Sequence, residues 1–283
     1  MNSSLNVTTE SSSDQSSTPT FSDALKIFII FLLVSLAIIM TTDFFLPSPP
    51  KTPLDLLYTI FFTHVIGILV PVFIYIKVKK YNLKESLNIK PVPILTLLKI
   101  SVIAIIFFIL LNWFQELLAP VFKPYEKDII EYQDFFTTIA SAGKSRIDII
   151  LFIIGVSAIP AIVEEILFRG IILNGLKNSS TAVAGHCCIC NPLEANNSSN
   201  SKSLPCSNQS SGTLLTGQAI KAILLSGLLF GIIHFLPPQI VMTSILGIFF
   251  GILVIKTQSI ITSIWCHFLN NLIIILSIFA QPN

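Results

Sequence analysis

The stretch 153–173, IIGVSAIPAIVEEILFRGIIL, decides how this chain reads. An apolar helix needs about 20 residues to cross a bilayer, and this run supplies that length. Yet Glu164, Glu165 and Arg169 sit inside it, with apolar residues before and after. A charge at the bilayer centre costs roughly 2.5–3.5 kcal/mol on insertion scales, so such side chains usually face a protein interior. Glu165 and Arg169 are spaced i, i+4, share a helix face, and can pair in the favourable acid-before-base order. Glu164 is about 100° further around the helix and points elsewhere. One carboxylate is thus neutralised, and the other is left for chemistry. The blander reading is a buried ion pair that only fixes helix packing, but such a pair needs one glutamate, not two.

The rest of the chain fits that setting. Of 283 residues, 53% are hydrophobic and 11% charged, and the mean hydropathy is +0.81. A soluble domain has about a quarter of its residues charged, so lipid is the expected solvent. Apolar runs fall near 24–42, 56–78, 95–118, 147–176, 218–236, 240–255 and 259–279. In hydrocarbon each backbone group must be satisfied within its own segment, so these runs are helices. The expected fold class is therefore all-α: a polytopic integral membrane helix bundle of about seven to eight transmembrane helices, the eighth arising if part of 119–146 enters the membrane. A net charge of +2, without basic clusters interleaved with aromatics, argues against nucleic acid as a partner.

Residues 1–23 are rich in Ser and Thr and lack the basic n-region of a secretory signal, so they read as a disordered tail before an uncleaved first span. With seven spans, ten loop lysines lie on one side, and five basic residues (Lys51, Lys123, Lys127, Lys144 and Arg146) lie on the other. That bias predicts a cytoplasmic N-terminus. The membrane domain runs over 24–279, interrupted at about 178–212 by a polar loop holding Cys187, Cys188, Cys190 and Cys206 beside His186. Adjacent Cys187 and Cys188 do not match the usual C-x₂₋₄-C zinc spacing, and a flexible insertion with incidental thiols is the plainer reading.

Two histidines answer the free carboxylate. His234 follows Phe230 by one turn in LLFGIIHFLPP, and His267 precedes Asn271 by one turn in SIWCHFLNNLII. At about 1.5 Å rise per residue from one membrane face, Glu164 lies roughly 18 Å deep, His234 roughly 24 Å and His267 roughly 12 Å. The three can meet in mid-bilayer. Each histidine alone reads as a hydrogen-bonded packing residue, and His64, in the second run, is given that reading.

At these residues the chain resembles the CAAX-processing and bacteriocin-processing intramembrane proteases, the CPBP or Abi family. The family's E-E-x-x-x-R stands here as Glu164–Glu165–Ile166–Leu167–Phe168–Arg169, its F-x-x-x-H as Phe230 to His234, and its H-x-x-x-N as His267 to Asn271. The resemblance covers roughly 147–279, and the polar insertion between the first two motifs is its one departure in spacing. It implies hydrolysis of peptide bonds in or near the membrane. Glu164 is the expected general base. His234 would position the water or protonate the leaving group, and His267 and Asn271 would donate hydrogen bonds to the oxyanion. Glu165 and Arg169 would orient their helix.

A zinc variant would use a glutamate and two histidines as ligands with water in the fourth position. H-E-x-x-H is absent, however, and the reading leans to water activated by glutamate without metal. The expected partners are the lipid bilayer and a membrane-associated peptide or protein substrate. Eukaryotic relatives remove the last three residues of prenylated C-a-a-X proteins, and bacterial relatives are associated with peptide export and bacteriocin immunity. Two other classes compete. One is a non-catalytic relative binding peptide in the same cavity, which would not require Glu164, His234, His267 and Asn271 together. The other is a proton-coupled transporter, for which the halves show no clear repeat.

Overall fold

The computed structural model describes residues 18–45, 49–143, 145–178 and 216–280. Among these, all regular structure is helical. In chain order the main helices are α1 (Phe21–Phe45), α2 (Pro53–Val78), α3 (Ile94–Leu117), α4 (Glu126–Ala142), α5 (Arg146–Asn178), α6 (Gly217–Ile232), α7 (Pro237–Thr257) and α8 (Ile260–Phe279). Six of them are long and apolar enough to cross a membrane, and α6 is a shorter apolar helix. The protein is a polytopic helical bundle and an integral multi-pass membrane protein. The stretch 119–146 does not form an eighth span: α4, with Glu126, Lys127, Asp128, Glu131 and Asp134, is not among the helices apolar enough to cross.

The boundaries differ from the apolar runs for local reasons. Helix α1 starts at Phe21, inside the Ser/Thr-rich stretch, because buried Asp23 draws it in: Tyr75 and Tyr81 donate their hydroxyls to its carboxylate at 2.7 and 2.6 Å. The run that looks short at 240–255 is a full helix of 21 residues, since Pro237 and Pro238 occupy its first turn, where a missing N–H costs nothing. Helices α2 and α5 each open on a capping box, Thr52 with Asp55 and Ser145 with Asp148, in which side chain and backbone satisfy each other reciprocally. Cys187, Cys188, Cys190, Cys206 and His186 lie outside the described residues.

Both α2 and α5 contain π-helical turns, Phe61–Leu69 in the former, Ile154–Ala158 and Ile166–Ile172 in the latter. Two of these turns end just before prolines, Pro71 and Pro160. Proline lacks an N–H and its ring crowds the carbonyl four residues back, and a widened turn relieves that conflict. The helices pack around a core of α1, α2, α5, α6 and α7 residues, including Ile27, Val72, Leu167, Phe168, Phe230 and Val254. Helix α8 lies against α5, α7 and α3, the last through a bond from the Trp265 indole to Ser101 Oγ at 2.8 Å.

The tightest contact joins α6 to α7 through glycines. A Cβ on Gly227 would stand 2.6 Å from Ile248 Cγ1 and 2.8 Å from the Ile248 nitrogen, and one on Gly231 would meet Ser244 Oγ and, at 2.6 Å, the Ile240 carbonyl. Small residues four apart let helix backbones approach closely where hydrophobic burial cannot drive association. Because backbone is what the new atom meets, the neighbours cannot simply rotate away. Gly227→Ala is expected to destabilise the fold by about 1–3 kcal/mol, read as a lowered midpoint of unfolding in mixed detergent micelles.

Candidate active site

Glu164 and Glu165 end one α-helical stretch of α5 and Arg169 lies in the π-turn that follows, so the acid pair and the arginine project inward at mid-helix. Glu165 and Arg169 are both fully buried, and Glu164 is nearly so. Arg169 Nη1 lies 3.0 Å from Glu165 Oε1, the expected i, i+4 pair. Arg169 Nη2 donates to the Gly247 carbonyl at 3.0 Å, a contact that the close α6–α7 crossing brings within reach. Aromatic faces take up the rest of the guanidinium: its carbon lies 4.4 Å from the Phe230 ring centre and 5.4 Å from that of Phe250. A desolvated cation is attracted to such rings, which compensates for an Nε without a hydrogen-bond partner.

Glu165 does more than neutralise Arg169. The same oxygen, Oε1, stands 3.1 Å from His267 Nδ1. A carboxylate oxygen can only accept, so Nδ1 carries the hydrogen and Nε2 is turned toward the site. The ring is held between Phe250, stacked at 5.3 Å and 24°, and the edge of Phe230. His267 Nε2 then faces Glu164 Oε2 at 3.9 Å. That separation is too long for a direct hydrogen bond and suits a bridging oxygen. Glu164 Oε2 is buried and bonds to no group among the described residues.

His234 does not sit inside a helix, as the apolar run implied. Helix α6 ends at Ile232, and His234 lies in the turn before Pro237, where Phe235 adopts a left-handed φ of 58°. A helix rarely continues into the residue before proline, which explains the early end. Its Nδ1 donates to the Phe230 carbonyl at 2.9 Å, so Nε2 is again the free nitrogen, and the group lies within electrostatic reach of Glu164.

Asn271 sits one turn beyond His267 on α8 and donates from Nδ2 to the Val156 carbonyl at 3.4 Å. Val156 is four residues before Pro160, so its carbonyl is the one proline leaves without the usual helical donor. Asn271 thereby ties α8 to the helix of the acid pair, while its second N–H is not committed by that bond.

A residue that sequence reasoning set aside completes the cluster. His64, read as a packing residue, has Nε2 3.2 Å from Glu164 Oε1, so Glu164 is not the unpartnered acid that its helix face implied. The signal was present only as a histidine in mid-span. The structure thus brings Glu164, Glu165, Arg169, His267 and His64 into one contact network, sets His234 across Phe230 from it, and leaves Asn271 one turn away. Tyr132 of α4 neighbours Gln239 at the start of α7 and is itself within electrostatic reach of Glu164.

Residues 146–273, a little under half of the chain, match the family model described as type II CAAX prenyl endopeptidase Rce1-like. Over this region the chain is similar to the CAAX protease family. No curated protein and no solved structure matched the chain significantly. The CAAX protease match opens on the first residue of α5 and closes two residues past Asn271, so it contains all three motifs and excludes His64.

Proposed function

We propose that this chain is an intramembrane endopeptidase that hydrolyses peptide bonds of membrane-associated substrates with water activated by Glu164. The observation carrying this reading is the buried Glu164 Oε2, which bonds to no group among the described residues and stands 3.9 Å from His267 Nε2. A water between them gives one proton to Oε2 as its oxygen attacks the substrate carbonyl carbon. His234, with Nδ1–H already committed to Phe230, offers the Nε2 lone pair to the water's second hydrogen and fixes its orientation.

The carbonyl oxygen becomes an oxyanion as the C–O bond forms. His267, its Nδ1–H held by Glu165 and entering the step with a proton on Nε2 as well, donates that Nε2–H to the oxyanion together with the second N–H of Asn271 and keeps it throughout. Glu164 then passes its proton to the leaving nitrogen, the C–N bond breaks, and the carboxylate is restored. Arg169 keeps Glu165 charged and never meets substrate.

Among the described residues, no three His, Cys, Asp or Glu are grouped so as to hold a metal ion. The acids and imidazoles pair with one another, and with H-E-x-x-H absent from the sequence we write the reaction without zinc.

An apolar cavity of about 260 Å³ supports the lipid-linked substrate class. Its walls include Leu97, Ala158, Ala161, Ile162, Ile264 and Trp265, one turn from the acid pair on α5 and from His267 on α8. A prenyl or other hydrocarbon chain seated there would bring the adjoining peptide to Glu164. In this reading the lysine bias puts the N-terminus in the cytoplasm.

Purified protein in lipid is expected to cleave a prenylated or membrane-anchored reporter peptide, with undiminished activity after chelation and dialysis. Activity lost on chelation and restored by zinc would put a metal in the reaction. Failure to cleave any peptide of a broad panel would overturn the enzymatic reading.

A further inference from the structure

His64 lies on α2, outside the three motifs and outside the matched region. Its two ring nitrogens have different partners: Nδ1 is 3.0 Å from Thr63 Oγ1, and Nε2 is 3.2 Å from Glu164 Oε1. The Thr63 hydroxyl has one proton to give. It gives it to the backbone, donating to the Thr59 carbonyl at 2.8 Å with a longer branch to Ile60 at 3.3 Å. Were it turned to His64 instead, two acceptor oxygens would face each other at 2.8 Å with no hydrogen between them. Thr63 Oγ1 therefore accepts, and His64 Nδ1 carries a hydrogen.

A neutral His64 would then aim a bare Nε2 lone pair at a carboxylate oxygen. Two acceptors cannot rest 3.2 Å apart in an apolar bundle, so a second proton belongs on that line.

We infer that His64, protonated on both nitrogens, is the positioning residue for Glu164. This rests on the reading of Glu164 as the base. By holding Oε1, His64 leaves Oε2 as the oxygen that takes the proton of water and turns it toward His267. It also gives Glu164 a cation of its own, so that the two neighbouring carboxylates do not compete for Arg169. The i, i+4 geometry dedicates Arg169 to Glu165, with which it shares a 3.0 Å contact. Thr63 fixes the ring from behind.

Two measurements on the full chain in bilayers test this. In the first, His64→Phe lowers kcat for the reporter by about 10²-fold, the order of loss that misplacing a reacting group brings, with KM little changed. His64→Gln recovers part of the rate, because its amide donates to Oε1. An unchanged kcat in His64→Phe, or a loss confined to KM, overturns the inference. In the second, ¹⁵N spectra of the ring nitrogens are recorded, with the four histidines of the chain assigned by single replacement. Both His64 nitrogens are protonated in the wild type, and Nε2 loses its proton in Glu164→Gln. A bare Nε2 in the wild type, or a spectrum indifferent to Glu164→Gln, overturns it. If the wild type cleaves no reporter, the peptidase reading falls by itself, and the ring spectra still decide the pairing.

Discussion

Glu164→Gln is expected to lower kcat for a membrane-anchored peptide by about 10²–10⁴-fold in a protein that still folds. The replacement is isosteric and can turn its amide N–H to the bare Nε2 of His64, but an amide cannot take a proton from water. The folded state should survive, because among the described residues Glu164 bonds to His64 alone and, at 3.9 Å, faces His267. Glu165→Gln behaves differently. It removes the charge on which both Arg169 and His267 rest, so activity and stability should fall together. Cleavage rate measured beside thermal unfolding separates the two, and a Glu164→Gln protein with full activity would move the base to another residue.

Arg169→Met is expected to cost about 3–5 kcal/mol of stability, the range for removing one partner of a buried ion pair. Methionine can fill much of the space among Phe168, Phe230 and Phe250, so packing is not the main loss. The main loss is Glu165, left charged and fully buried with only His267 beside it, and the Gly247 carbonyl, deprived of its donor. Adding Glu165→Gln to Arg169→Met should recover part of the cost, since the stranded charge is then gone. Unfolding free energies of the two single variants and the double variant measure that coupling. If the double variant loses the simple sum, Glu165 and Arg169 act independently and the pair has been misread.

How much of this could be read from the residues depended on how unusual each one is in its setting. Glu164, Glu165 and Arg169 were conspicuous because charge inside an apolar run is costly, and their i, i+4 spacing gave the ion pair before any coordinates did. The helical class followed from the same solvent argument. His64 was missed because one histidine in a span is unremarkable by itself, and only the fold brings α2 against α5. The second duty of Glu165, orienting His267, was hidden for the same reason: it joins residues on different helices. The end of α6 before His234 was in principle legible from Pro237 and Pro238, but an unbroken apolar run concealed it. The role of the glycines between α6 and α7 depends on which faces meet, and that is a property of packing.

The π-turns of α5 bear on how such a site tolerates the loss or gain of single residues. Each accommodates one residue more than an α-helical turn does, at a point where the chain has already departed from regular pitch. Deleting one residue within Ile154–Ala158 would let the turn close to ordinary α geometry and leave the segments on either side close to their present orientation. Glu164 would then still face His64 and His267. The same loss in a stretch with no widened turn to absorb it would rotate everything beyond by about 100° and part the acid from its partners. For sequences of this kind, the residue count from Ser145 to the acid pair can vary by one at this turn without dismantling the centre.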